Sequence, residues 1–272
     1  MQDRIETGML MERIRAARKW QDHQRLLFLV IHNKDTTLLK SLLGTYREAI
    51  AERPTPLLRW AYANCTCEIY EHNIHSLAEY AVKEERDFLK EEKVVEINKG
   101  LIKELPNQVI GYLGLARAYG GAFHDPELAK YYTVKSEGYT TIKVNGRTER
   151  IKKIVADNPE RRRRYYSLLE KVRELEPNNP FVPFWQARSM RSDGKASDGY
   201  ELAVKAYNLG MKQLSPIMCL SLVVWFAWKA NIREAARYSE ELRNWVLQAP
   251  KSAYALGLKY WNSCPLIKNA LQ

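Results

Sequence analysis

Residues 168–190 read LLEKVRELEPNNPFVPFWQARSM, and their order of helix former, breaker and helix former decides the fold. Leu168, Leu169, Val172 and Leu175 are spaced for one side of a helix. Pro177 ends that helix, because it has no N–H and disfavours helical backbone at Glu176. Asn178 and Asn179 suit a turn, since their side chains bond nearby backbone and tolerate its dihedrals. Pro180 falls where the first amides of a new helix would be unpaired anyway. That new helix opens on Phe181, Phe184 and Trp185. Helix, short turn and helix make an antiparallel hairpin. One hairpin cannot bury its own apolar face, so this stretch predicts neighbours built the same way.

The flanking sequence supplies them. Downstream, helices are predicted over 181–192, 196–213, 216–229 and 232–248. Pro250 breaks the last, and a segment at 252–262 is placed to cap the array. Upstream, a first helix over 3–20 carries Ile5, Met9 and Ile14 on one side and gathers Arg13, Arg15, Arg18 and Lys19 near its end, where cations suit the helix dipole. Its apolar stripe is thin for a membrane-surface helix. Helices 22–33 and 36–52 form the next hairpin, with Asp35 and Thr36 as cap and Pro54 as stop. Helix 56–72 follows. The segment 75–105 is either one long helix or two with a break near 88–91, and its KEERDFLKEEK middle is dense in i,i+4 Glu–Lys pairs. Helix 109–120 ends on Gly120-Gly121, and another runs from Asp125 to about 136. Residues 139–154, YTTIKVNGRTERIKKI, break the pattern: alternation around Asn145-Gly146 predicts a β-hairpin. Helix 158–176 then leads into the deciding turn.

Composition narrows the class. Apolar residues make up 46% of the 272, enough for a continuous core, while eleven Pro and thirteen Gly are too few for disorder or a turn-rich all-β fold. The net charge of +11 favours an acidic partner: a protein segment, nucleic acid or an anionic surface. Four cysteines in a chain of this size make no disulfide framework, which points to a reducing compartment. No stretch reaches the roughly 18 apolar residues of a membrane span, and the N-terminus lacks the apolar block of a signal peptide. A cytoplasmic location is expected; a chain trimmed of its leader would read the same.

Residues 112–119, YLGLARAY, place Tyr112, Leu115, Ala116 and Tyr119 on the W-x2-L-G-x2-Y spacing of the tetratricopeptide repeat. Leu42, Tyr46 and Pro54 match the repeat's second helix without a gap. Ala203, Tyr207, Gly210 and Pro216 do so within one residue, and Ala235 and Leu242 take the small and apolar positions of the last hairpin. Ala187 and Met190 stand in register with Pro177. The chain resembles a tetratricopeptide array over most of residues 22–250. It departs from the pattern in spacing: the terminal prolines at 54, 106, 177 and 216 or 250 do not keep a period of about 34 residues, and residues 73–90 and about 122–160 are insertions. The resemblance implies an all-α, right-handed solenoid of five or so hairpins over 1–272, with the ribbon 139–154 inserted and 252–272 as C-terminal capping helix and tail. It also implies a scaffold whose hollow side, lined by the first helix of each hairpin, receives a partner segment. Leu113, Arg117, Phe184, Arg188, Arg191 and Trp228 would line that groove, and an acidic or amphipathic protein segment is the partner they suit. The Lys and Asn set with which some family members hold a C-terminal carboxylate is absent.

Other chemistry is weaker. Cys65, Cys67, His72 and His75 have the types of a zinc set, but on a helix Cys67 stands about 200° from Cys65. Buried thiols and helix-end histidines are the simpler reading. No phosphate loop or nucleophile elbow occurs, so neither an enzyme nor a cofactor is expected. The alternative to a peptide groove is RNA or single-stranded DNA on a basic stripe of Arg147, Lys152, Lys153, Arg161, Arg162 and Arg164, next to Tyr165 and Tyr166. Four consecutive arginines span more than one helical turn, so a solvated face paired with nearby glutamates competes with that reading.

Overall fold

The computed structural model describes residues 9–31, 37–76, 93–120, 125–131, 133–144, 147–191, 194–248 and 264–270. Twelve helices are described: α1 (Leu10–Ala16), α2 (Trp20–Ile31), α3 (Thr37–Glu52), α4 (Pro56–Ser76), α5 (Val94–Glu104), α6 (Val109–Gly120), α7 (Pro159–Leu175), α8 (Phe181–Met190), α9 (Ala196–Ala206), α10 (Pro216–Lys229), α11 (Ala235–Gln248) and α12 (Pro265–Ala270). α9 is followed by Tyr207–Met211, which kinks at Gly210 (φ 116°), and by a last turn, Lys212–Leu214. The segment expected to cap the array at 252–262 lies outside the described residues.

The deciding turn is held by its own side chains. Glu176 N–H donates to the Val172 carbonyl (2.8 Å), Asn179 Oδ1 accepts from the Phe181 amide (3.0 Å), and Asn179 Nδ2 donates to Glu176 Oε2 (2.8 Å). The same logic starts α7. Asn158 accepts from the Arg161 amide at 2.9 Å, with Pro159 in the first turn.

The described helices form five hairpins, α2/α3, α4/α5, α6/α7, α8/α9 and α10/α11, and α12 follows as a cap. Each second helix packs on the first helix of the next pair, and successive first helices touch in turn, α2 on α4, α4 on α6, α6 on α8 and α8 on α10. That is the layering of a helical-repeat array. Small residues make it possible: Ala116, Ala187 and Ala203 have no exposed surface, and Ala235 is buried. At Gly111 an added Cβ would lie 2.8 Å from the Ile102 backbone nitrogen, so α5 and α6 approach too closely for any side chain there.

Several expectations need correction. The predicted first helix over 3–20 is interrupted, because Asp22 Oδ2 accepts from the amides of Arg18 and Lys19 (3.0 Å each) and so starts α2 at Trp20. The helix expected from Asp125 to about 136 is only a 3-10 segment, Pro126–Tyr131, and then becomes strand. The antiparallel ribbon pairs β1 (Thr133–Val144) with β2 (Arg147–Asp157), longer at both ends than 139–154, with an irregularity between Val134 and Ser136.

The largest correction concerns the hollow. α2 does more than pair with α3. Trp20, His23, Gln24, Leu26, Leu27, Phe28, Val30 and Ile31 are all buried, an arc of about 200° at about 100° per residue and about twice the narrowest stripe of a helix covered on one side, while Arg25 stays exposed. The Trp20 ring lies 6.2 Å from Trp60 of α4 and 5.6 Å from Phe181 of α8, and its Nε1 donates to Glu176 Oε1 at 3.4 Å. Phe28 meets Trp245 of α11 at 5.9 Å, and Lys212–Leu214 packs on α2. The array closes on itself through α2.

Candidate functional site

The inner layer holds a buried polar chain from α2 through α4 to α6. His23 Nδ1 and the Tyr46 hydroxyl are 2.9 Å apart, and Asn64 Nδ2 donates to Gln24 Oε1 at 2.9 Å. Arg117 donates to Asn64 Oδ1 and to Glu68, all three buried. Burial holds the His23 imidazole down at about 4 and pushes the Tyr46 hydroxyl well up. Repeat position predicts that Arg117 faces a partner; the fold instead uses its guanidinium to neutralise Glu68. Leu113 and Phe184, also expected in the groove, are each only 2% exposed. Their apolar surface goes to the inter-helix seams, so none of these three can meet a partner in this conformation.

The other three expected residues come together at one end of two adjacent first helices. Arg188 is in the last turn of α8 and Arg191 just beyond it; Trp228 is in the last turn of α10. Arg188 and Trp228 are half-buried and Arg191 is exposed. The structure adds two residues that sequence reasoning missed, Trp225 and Lys229. Arg191 Cζ lies 5.4 Å from the Trp225 ring, and Lys229 Nζ is 5.9 Å from Trp225 and 4.4 Å from Trp228. The signal was present, since Trp225, Trp228 and Lys229 recur at i, i+3 and i+4 on one helical face. Surrounding protein, and then the neighbouring Arg188 charge, lower the Arg191 pKa. Like charges gathered beside half-exposed indoles form a surface fit for anionic groups and apolar side chains together.

The basic run at the start of α7 is spent differently. Arg161 donates from Nε to the Tyr119 carbonyl (2.7 Å) and from Nη2 to the Ala118 carbonyl (3.0 Å), covering acceptors that the end of α6 leaves unpaired. Arg163 and Arg164 both close on Glu160, at 2.8 Å, and hold its carboxyl down at about 2. Arg164 also reaches Glu127 at 3.5 Å. Arg161 and Arg164 are therefore engaged within the chain, contrary to their expected nucleic-acid role: the carbonyls at the end of α6 hold the first, and Glu160, four residues before Arg164, holds the second. Arg162 lies exposed. Arg147, Lys152 and Lys153 sit on β2, Lys152 paired in register with Tyr139 and Arg147 with Val144; their side chains lie outside the described residues, as do those of His72 and His75. Cys65 and Cys67 are buried, and burial pushes the Cys65 thiol up. Among the described residues, no helix is long and apolar enough to cross a membrane.

No protein-family model matches the chain, and no curated protein matches it. The structure is similar to the crystal structure of a thermophilic TPR protein from Thermus thermophilus, with a TM-score of 0.50 and 15% sequence identity, over 90% of this chain and 98% of that one. With the paired layering and the small residues at its crossings, that likeness fixes the architecture: the chain has the fold of a tetratricopeptide-like helical-repeat protein.

Proposed function

We propose that the chain is a protein-interaction scaffold, a right-handed solenoid that holds an acidic or amphipathic segment of another protein. The segment lies across the ends of α8 and α10, where Arg188, Arg191 and Lys229 orient its carboxylates and Trp225 and Trp228 cover its apolar side chains. The observation that supports this is the Arg191–Trp225–Lys229–Trp228 cluster, cations and indoles interleaved on adjacent first helices. No step of this role needs catalysis or a cofactor.

A labelled amphipathic peptide carrying Asp and Glu, compared by fluorescence anisotropy with its Lys-substituted counterpart, tests the reading. Only the acidic peptide should bind, and Arg188→Glu or Trp228→Ala should weaken it by about tenfold or more. Arg162→Glu should leave it unchanged. Equal binding of both peptides, or tighter binding of single-stranded RNA with a steep salt dependence, would refute it.

A further inference from the structure

We infer that α2 is a clasp: a helix that occupies the inner side of its own array and can leave it, exposing a surface that receives an amphipathic helix. A first helix in a stack needs contacts only with its hairpin partner and the next pair. α2 has those, through His23 with Tyr46 and Gln24 with Asn64, and adds contacts to the fourth and fifth hairpins through Trp20 with Phe181 and Phe28 with Trp245. It thus joins the first hairpin to the fourth and fifth, across the stack between them.

The seam around α2 is imperfectly made, as expected of a contact that must open. Among the described residues, His23 Nε2 and Trp60 Nε1 are buried there without a hydrogen-bond partner, although groups this deep are ordinarily satisfied. On the far side a cleft of about 510 Å³ runs between Trp20, Gln21 and Arg25 of α2 and two facing segments, Leu175–Pro180 and Leu209–Leu214. α2 itself shows what the surface accepts: an amphipathic helix three turns long whose buried face covers about half of its circumference, with Trp20 and Phe28 as anchors about two turns apart. The visitor is therefore a helix of that pattern, distinct from the acidic segment at Arg188 and Arg191.

The probe is a synthetic peptide of residues 20–31, given to the full chain. Phe28→Ala, which removes the ring that meets Trp245, should shift the array toward the open state and bind the peptide about tenfold more tightly than the unsubstituted chain, because a larger fraction is competent. Small-angle scattering should show the variant expanded, with helix content kept. Arg188→Glu should not change this binding, which separates it from the acidic-peptide reading. If the folded variant binds no peptide and stays compact, the clasp is wrong. Should Phe28→Ala fail to fold, native-state hydrogen exchange on the unsubstituted chain decides: α2 amides exchanging ahead of those of α6 and α10 support it, and equal protection refutes it.

Discussion

The start of α7 and the end of α8 both set arginines beside aromatic rings, and they use them in opposite ways. At α7 most of the cations are engaged within the chain: Arg161 caps α6, and Arg163 and Arg164 close on Glu160 at the surface. At α8 the charges of Arg188 and Arg191 influence one another, and Arg191 lies over Trp225. The difference teaches that a density of positive charge does not mark a binding surface. What differs is the neighbour each cation is set against: backbone carbonyls and a glutamate at α7, an indole face at α8. The denser basic run is mostly structural; Arg191 of the sparser pair lies exposed beside Trp225.

Substitutions can break or sharpen that contrast. Arg117 is the extreme of the inward kind, and Arg117→Ala would leave Glu68 buried without its cation. We expect a loss of about 3–5 kcal/mol in denaturant unfolding, with much of it recovered by adding Glu68→Leu. The next effect belongs to the same buried chain and is read by pH. His23 is held at about 4, below its ordinary 6.5, because burial disfavours the imidazolium. A depressed histidine contributes stability that is complete above about pH 6.5 and is lost as the pH falls toward 4, roughly 3 kcal/mol in all. Thermal melts across that window should show the decline, and His23→Gln should flatten it. Arg161→Ala should cost about 1.5–3 kcal/mol through its two charge-assisted bonds while leaving acidic-peptide affinity intact. Smallest in stability is Trp228→Ala, about 1–2 kcal/mol from its half-buried ring and the lost contact with Lys229, yet it should lower peptide affinity by about tenfold. If Arg161→Ala reduced binding and Trp228→Ala did not, the contrast would be reversed.

Much of the architecture was legible because its determinants are local. Glu176–Phe181 forms the turn its prolines and asparagines demand, and the alanines at 116, 187, 203 and 235 lie buried where packing needs small residues. The closure by α2 was not legible. Trp20 meets Glu176 across 156 residues of sequence, a separation that periodicity does not register. A trace existed in the apolar residues Leu26, Leu27, Phe28, Val30 and Ile31, too many for one stripe. The site was half legible: Arg188, Arg191 and Trp228 share a surface, whereas Leu113, Arg117 and Phe184 were assigned by position in the repeat alone and are buried by seams that repeat spacing does not describe.

The kink within Tyr207–Met211 carries a last consequence. It stands at Gly210, whose φ of 116° is a value that disfavours any side chain. The bend re-aims the chain, so that the Lys212–Leu214 turn packs on α2 and Leu214 lines the cleft with Trp20 and Arg25. Gly210→Ala would strain that bend and loosen the 212–214 turn, opening the cleft without touching a single residue of α2.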